Sequence, residues 1–336
     1  MTLDDEFLVK LDREDQPPFR HVLSIEEIRA INAALATGRP LLVRGEPGTG
    51  KTQLARAAAV VLGRSFIHQS VDGRTETRDL LWTLDAIQRL ATAQLLGAAG
   101  DAKLEHLKTV LAPSAFIQPG ALWWALDPLD ADRRRNAHAL SCCVVERHED
   151  DADFKAGTVV LIDEIDKADP SVPNALLDAL GQGGFDVPGV GRVNASPQRP
   201  TPLVVITTNN ERALPSAFLR RCLVLQLSLP PKPDDLIKRL VARGRVHVSD
   251  TSEDVLKEAA RMLLKDRSAA EERHLSLPGL AEYLDLVRAV ATLFPGDHGA
   301  QEKHLHRVRD FALRKHPPEV RRHPLEVRQD PPEESA

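Results

Sequence analysis

The chain has 336 residues, 42% hydrophobic and 28% charged, enough apolar material for one large globular domain and a smaller one. Only 4% is aromatic, so a core has to rest on Leu, Val, Ile and Ala. A formal net charge of -5 argues against a general nucleic-acid binder, no apolar run approaches the roughly 18 residues of a membrane span, and Cys142, Cys143 and Cys222 make neither a disulfide framework nor a C-x-x-C metal pattern.

The acidic start lacks the basic and apolar regions of a secretory signal, so the cytoplasm is the expected compartment. Residues 1–20 mix charges with Pro17-Pro18 and read as a flexible arm. A helix is expected from Ser24, because Ser24-Ile25-Glu26-Glu27 matches a capping box and Ile28, Ile31 and Leu35 share a face. Residues 40–44 form an apolar run of strand length, and after a glycine-rich stretch Leu54, Ala57, Ala58 and Val61 recur at helical spacing. A second strand is expected over 65–71, then one helix over 77–96 carried by the stripe Leu80, Leu84, Ile87, Ala91 and Leu95, and another over 101–111. Residues 127–157, with three consecutive arginines and an acidic run, read as a solvated insertion, and Cys142-Cys143 as part of a buried strand or helix.

Strand three is expected over 158–162, apolar throughout as parallel strands usually are, followed by a helix capped by Asp169. Further strands are expected over 203–207 and 223–227, with a short helix at 216–220 between them. Strands alternating with helices imply a parallel five-stranded sheet between helices, an α/β domain over 21–229. Beyond Pro230-Pro231 only helical spacing appears, so 230–315 is expected to be a small all-helical domain and 316–336 a disordered tail.

Four segments carry chemistry. Gly45-Glu46-Pro47-Gly48-Thr49-Gly50-Lys51-Thr52 follows a strand and opens a helix, the context in which G-x-x-x-x-G-K-[ST] cradles phosphates. Its glycines let backbone N–H groups point inward, Lys51 would reach the terminal phosphates, and the Thr52 hydroxyl would ligand Mg²⁺. Asp163 and Glu164 end an apolar strand: the first is suited to hold Mg²⁺ directly or through water, the second to polarise an attacking water. Asn209, with Asn210 as second choice, ends another strand and can orient that water. Arg221 or its neighbour Arg220 precedes the last strand and can project into a neighbouring subunit.

Together these residues resemble the AAA+ P-loop ATPases, and within them the MoxR group. Residues Gly45 to Thr52 match Walker A, Asp163-Glu164 match Walker B, Asn209 matches sensor 1, and Arg221 best matches the arginine finger. The segment Phe116-Ile117-Gln118-Pro119-Gly120 matches a feature of MoxR-like proteins ahead of Walker B. The resemblance implies ATP and Mg²⁺ as cofactors, a helical lid domain, a hexameric ring with the nucleotide between subunits, and remodelling of a protein partner, such as one with a von Willebrand factor A domain. It also implies ring-lining loops at 72–82 and 185–192. Two departures stand out: the long insertion before Walker B, and Gly279 where the family has its sensor-2 arginine. A small-molecule kinase, a GTP- or ATP-driven module of a nuclease or defence system, and a non-hydrolysing scaffold are the competing classes. Against them stand Glu164 after Asp163, the lack of an Asn-Lys-x-Asp guanine-reading sequence, and the intact set Lys51, Asp163 and Glu164.

Overall fold

Strands that are apolar on both faces can be stable only when helices cover both sides, and the first unit of this chain is built that way. The computed structural model describes residues 7–13, 16–99, 104–137, 142–149, 151 and 153–313, and chain packing separates two units after Pro230. The tail expected at 316–336 lies outside the described residues.

The first unit runs β1 (Phe7–Arg13), β2 (Gln16–Leu23), α1 (Ile25–Thr37), β3 (Leu41–Gly45), α2 (Lys51–Leu62), β4 (Ser65–Ser70), α3 (Thr77–Leu81), β5 (Trp82–Leu84), α4 (Ala86–Ala99) and α5 (Leu104–Val110). It continues with β6 (Ile117–Pro119), α6 (Ala121–Leu126), α7 (Pro128–Ala137), β7 (Val144–Glu146), β8 (Thr158–Asp163), α8 (Ser171–Gly181), β9 (Gly184–Val187), β10 (Gly191–Asn194), β11 (Leu203–Thr208), α9 (Ser216–Arg221) and β12 (Leu223–Leu227). The central sheet has the order β12-β3-β11-β8-β4-β7. Its first five strands are parallel, and β7 adds an antiparallel sixth at the edge of β4. The five parallel strands expected are all present, and β7 adds a sixth that makes the sheet mixed.

Alternation along each strand divides the core into two. Leu41, Val43, Phe66, Val159, Leu161, Leu203 and Val205 face α1 and α2, packing on Ile31, Ala34, Leu54 and Ala58. Leu42, Ile67, Val160, Ile162, Val204 and Ile206 face the other way, onto Trp123, Trp124, Leu176 and Phe218. The helix at Ser24 starts with both halves of its capping box: the Glu27 N–H donates to Ser24 Oγ at 3.3 Å and the Ser24 N–H to the Glu27 carboxylate at 2.6 Å.

Four expectations need correction. Residues expected in a flexible arm pair instead as the β1–β2 hairpin, with Phe7 opposite Leu23 and Val9 opposite His21. The single helix expected over 77–96 is interrupted by β5, which pairs with β6. Its apolar stripe does not share one buried face: Leu80 is fully buried, whereas Ile87 is 82% and Leu95 73% exposed. The insertion is only partly solvated, because it supplies α7, β7 and the fully buried Phe154, which packs against Trp124 at 5.9 Å between ring centres. Within it Cys143 is buried but Cys142 is exposed, and the strand begins only at Val144.

The second unit contains α10 (Pro233–His247), α11 (Glu253–Glu272), α12 (Leu280–Leu293) and α13 (His298–Ala312). Leu240, Leu263, Leu286 and Leu305 are fully buried in it. Three of its helices approach closely at Gly244, where an added Cβ would lie 2.6 Å from Leu256 Cδ2 and 2.7 Å from Tyr283 Oη. Among the described residues no helix is long and apolar enough to cross a membrane.

A severe steric constraint in the first unit falls at Gly120, where α6 begins. An added Cβ would sit 2.5 Å from the Asp79 carbonyl oxygen and 2.6 Å from that of Leu80, both backbone atoms that cannot swing aside. Gly120→Ala should therefore destabilise the protein by about 1–3 kcal/mol, the usual cost of overpacking, read as a lower urea midpoint. Gly97→Ala is the control: that position lies in α4 with open space around it, and it should gain about 0.5–1 kcal/mol from helix propensity.

Candidate functional site

The loop between β3 and α2 is shaped by what its glycines allow. At Gly45 a Cβ would lie 2.4 Å from the Leu227 carbonyl oxygen, so β3 and β12 can run side by side here only with glycine at this position. Gly48 and Gly50 have φ of 74° and 96°, left-handed conformations that curl the backbone around a concavity at the N-terminus of α2. Pro47 lies in this curl, and Thr49 Oγ1 braces it by donating to the Glu46 carbonyl at 2.9 Å.

Lys51, only 7% exposed, folds back over the loop and donates to the Gly45 and Glu46 carbonyls, each at 2.9 Å. Burial pushes its pKa below the ordinary lysine value, while the charges of Asp163, Asp166, Glu164 and Glu46 pull it back up. A desolvated ammonium held by carbonyls rather than by a bonded carboxylate is suited to an incoming anion, and the helix end beside it adds to that field.

Asp163 lies at the end of β8, flanked by β4 and β11. Thr52 Oγ1 donates to its Oδ2 at 3.0 Å, Thr207 Oγ1 donates to its Oδ1, and His68 Nε2 lies 3.4 Å from Oδ2. Burial raises the pKa of this carboxyl group, but the hydrogen bonds from His68, Thr207 and Thr52 outweigh it and hold it below the usual carboxylate range. The hydroxyl of Thr52 and the carboxylate of Asp163 stand side by side as hard oxygen donors, the type Mg²⁺ takes when phosphates and water complete its shell. The residues present thus fit a magnesium nucleotide.

Glu164 follows in a left-handed conformation, φ 62° and ψ 47°, with its N–H donated to Thr207 Oγ1 at 2.9 Å. Its carboxylate receives Asn209 Nδ2 at 3.1 Å on Oε1 and Lys167 Nζ at 2.6 Å on Oε2. Asn210, the second choice for that contact, instead occupies a left-handed turn with φ 61°, its N–H donated to Thr208 Oγ1 at 3.0 Å.

Arg221 is not brought to this cluster. Strand register sets Leu223 beside Leu41 at the start of β3, whereas the phosphate loop leaves the other end, about 15 Å away along the strands. Its guanidinium pairs with Asp178 at 2.7 Å on the surface, and Arg220 is also exposed. Arg39 fixes the backbone here by donating to the carbonyls of Arg221 and Cys222, each at 3.1 Å, and of Arg220.

His68, Thr207, Lys167 and Asp166 were not singled out from the sequence. Thr207 and His68 matter because β11 and β4 flank β8, and strand order is not written in a sequence. Lys167 carried a local signal, since it stands three positions after Glu164 with a 3₁₀ turn between them.

Comparison with known proteins agrees with this geometry. The AAA domain of the dynein-related subfamily matches residues 40–222, more than half of the chain and the whole span from β3 to the start of β12. Solved structures similar to the chain include a candidate ATPase from Cytophaga hutchinsonii, at 14% identity and a TM-score of 0.35, covering 85% of this chain and 79% of that one. Another is a point-mutant RuvB from Thermotoga maritima, at 18% identity and a TM-score of 0.41, covering 84% and 68%. Likenesses of that size carry no functional argument of their own. A search of curated proteins gave no match. The phosphate loop, the paired carboxylates and the family match lead to one conclusion: the chain belongs to the AAA domain family, dynein-related subfamily, and is an ATP hydrolase with the AAA+ P-loop fold.

Proposed function

We propose that the chain is a MoxR-like ATPase that hydrolyses ATP at the interfaces of an oligomeric ring and uses the energy to remodel a protein partner. The observation that carries the shared site is the separation of its parts. Lys51, Thr52, Asp163, Glu164 and Asn209 belong to one cluster, while the exposed Arg221 points from the opposite end of the strands. A site that needs Arg221 can be completed only by a second copy. The MoxR assignment draws its support from the Phe116 to Gly120 segment, whose glycine is sterically required.

In this reading Lys51 binds the terminal phosphates, and Thr52 and Asp163 hold Mg²⁺, which neutralises phosphate charge when bound. Glu164 accepts the proton of a water that Asn209 orients. That water attacks the γ-phosphorus in line, the bond to the bridging oxygen breaks, and ADP leaves with the electron pair. Arg221 from a neighbouring subunit balances the charge that develops in the transition state.

Lys51→Ala should abolish nucleotide binding, whereas Glu164→Gln should keep it and lose turnover by at least about 10²-fold. Fluorescent-nucleotide titration beside phosphate release separates the two effects, and equal loss of binding in both would contradict these roles. Arg221→Ala should leave ATP affinity nearly intact and remove hydrolysis. Mixing it with Lys51→Ala chains should restore part of the activity, because an intact loop can then face an intact arginine. No recovery in any mixture, with only monomers on sizing in ATP, would sink the shared site; Arg220→Ala is run in parallel as the alternative finger.

For the partner, the proposed class is a protein with a von Willebrand factor A domain, which takes a carboxylate through its metal. The acidic run offers Glu149 and Asp153 on the surface, whereas the Asp151 carboxylate caps a turn by accepting the N–H groups of Lys155 and Ala156. Capture with ATP-locked Glu164→Gln protein should enrich such a partner, and Glu149→Gln with Asp153→Asn should weaken the capture. Recovery of nucleic acid instead would overturn protein remodelling.

A further inference from the structure

Neighbouring residues on an extended chain point to opposite sides, yet Cys142 and Cys143 turn their thiols to the same one. Cys142 Sγ donates to the Pro119 carbonyl at 3.2 Å, Cys143 Sγ lies 3.8 Å from the same oxygen, and the two sulfurs are 3.8 Å apart. A bend at 142–143, just before β7, makes this convergence. The two thiols differ in character. Cys142 is exposed, and the hydrogen bond from Cys143 holds its pKa below the ordinary thiol value, with Thr83 helping and partial desolvation and Asp79 opposing. Cys143 is buried, and the same contact together with burial keeps it well above that value. An accessible thiol with thiolate character beside a protonated second thiol is the arrangement of an oxidisable cysteine and its resolving partner. The pair also has a short route to the nucleotide site. Val144 comes next in the chain and pairs with His68 across β7 and β4, and His68 Nε2 lies 3.4 Å from Asp163 Oδ2.

We infer that Cys142 and Cys143 form a redox site that a hydroperoxide closes to a disulfide, and that closure is felt at Asp163 through Val144 and His68. In the first step the Cys142 thiolate attacks the peroxide. An S–O bond forms, the O–O bond breaks, and the departing alkoxide or hydroxide keeps the electron pair and takes up the proton the thiol had lost. The Cys143 sulfur then attacks the sulfur of the Cys142 sulfenic acid. The S–S bond forms, the S–O bond breaks, and hydroxide leaves with the electron pair and the Cys143 proton as water. Two thiols are oxidised by two electrons, and one peroxide is reduced. Adjacent Cα atoms stand about 3.8 Å apart, short of the roughly 4.4–6.8 Å that a relaxed disulfide spans. Closure therefore twists the peptide between the two cysteines and the start of β7 with it. A bond under that strain is labile, so a thiol reductant reopens it.

The test is hydrogen peroxide treatment of the full chain, read by thiol count, peptide mass and ATP turnover. Of the three thiols one should remain when the treated protein is titrated unfolded, with the tryptic peptide 136–147 lighter by two hydrogens and Cys222 unmodified. Turnover should fall by at least about three-fold, the low end of what one hydrogen bond is worth, and dithiothreitol should restore all three readouts. Cys142→Ser should keep both of its thiols and its turnover under the same treatment. Cys142 is exposed, so this variant does not depend on core packing. Cys143→Ser should stop at a sulfenic acid on Cys142 that dimedone traps. Three thiols surviving the treatment, a bond that joins two chains, or loss of the Cys143 thiol in Cys142→Ser overturns the site. Closure with turnover unchanged, or a fall in turnover that Cys142→Ser shares, overturns the link to Asp163.

Discussion

One carboxylate, on Asp163, joins elements that come from far apart in the chain. Thr52 reaches it from the first turn of α2, Thr207 from β11, and His68 from β4. Three neighbouring strands and the helix that opens the phosphate loop are therefore tied at a single partly buried charge. The arrangement is stable only while the charge is well bonded, because removing a donor leaves a desolvated anion under-satisfied at about 1–3 kcal/mol or more. Parallel strands deliver such groups naturally, since their C-terminal ends all open on the same edge of the sheet. The hydroxyl at 207 bonds the Asp163 carboxylate and also receives the Glu164 N–H, so it sets the register of both acids at once.

Backbone conformation does the rest of the positioning. Glu164 and Asn210 both adopt left-handed φ, near 62° and 61°, on adjacent strand ends. Non-glycine residues in that region cost of order 1 kcal/mol or more each, and they persist where surrounding bonds over-determine them. Here the Glu164 N–H is fixed by Thr207 and its carbonyl accepts the Lys167 N–H at 3.0 Å, while the Asn210 N–H is fixed by Thr208. The strain turns each chain sharply away from its strand, which lets the Glu164 carboxylate and the Asn209 amide meet across the gap between β8 and β11.

Much of this was legible in the sequence because the elements that matter most are locally encoded. The capping box at Ser24, the glycine pattern from Gly45 to Gly50, and the apolar strands that end at Asp163 and just before Asn209 each carry their signal within a few residues. The N-terminal hairpin was not legible, since Pro17 and Pro18 suggest a linker and its pairing depends on a partner strand rather than on spacing. The break at β5 was missed because Trp82–Leu84 joins β6 across more than thirty positions, while helical spacing happens to continue through it. In the insertion, composition pointed to solvent, but one aromatic residue, Phe154, anchors the segment through Trp124. Residues such as His68 and Thr207 have meaning only once strand order is known.

The bonds from Arg39 to the carbonyls of Arg220, Arg221 and Cys222 make β3 a mechanical link. Arg39 stands just before the strand, and the phosphate loop stands just after it. A run of five residues thus has the glycine-rich loop at one end and the bonds that hold the Arg221 backbone at the other. A substitution that shifts β3 against β12 would therefore disturb both ends at once.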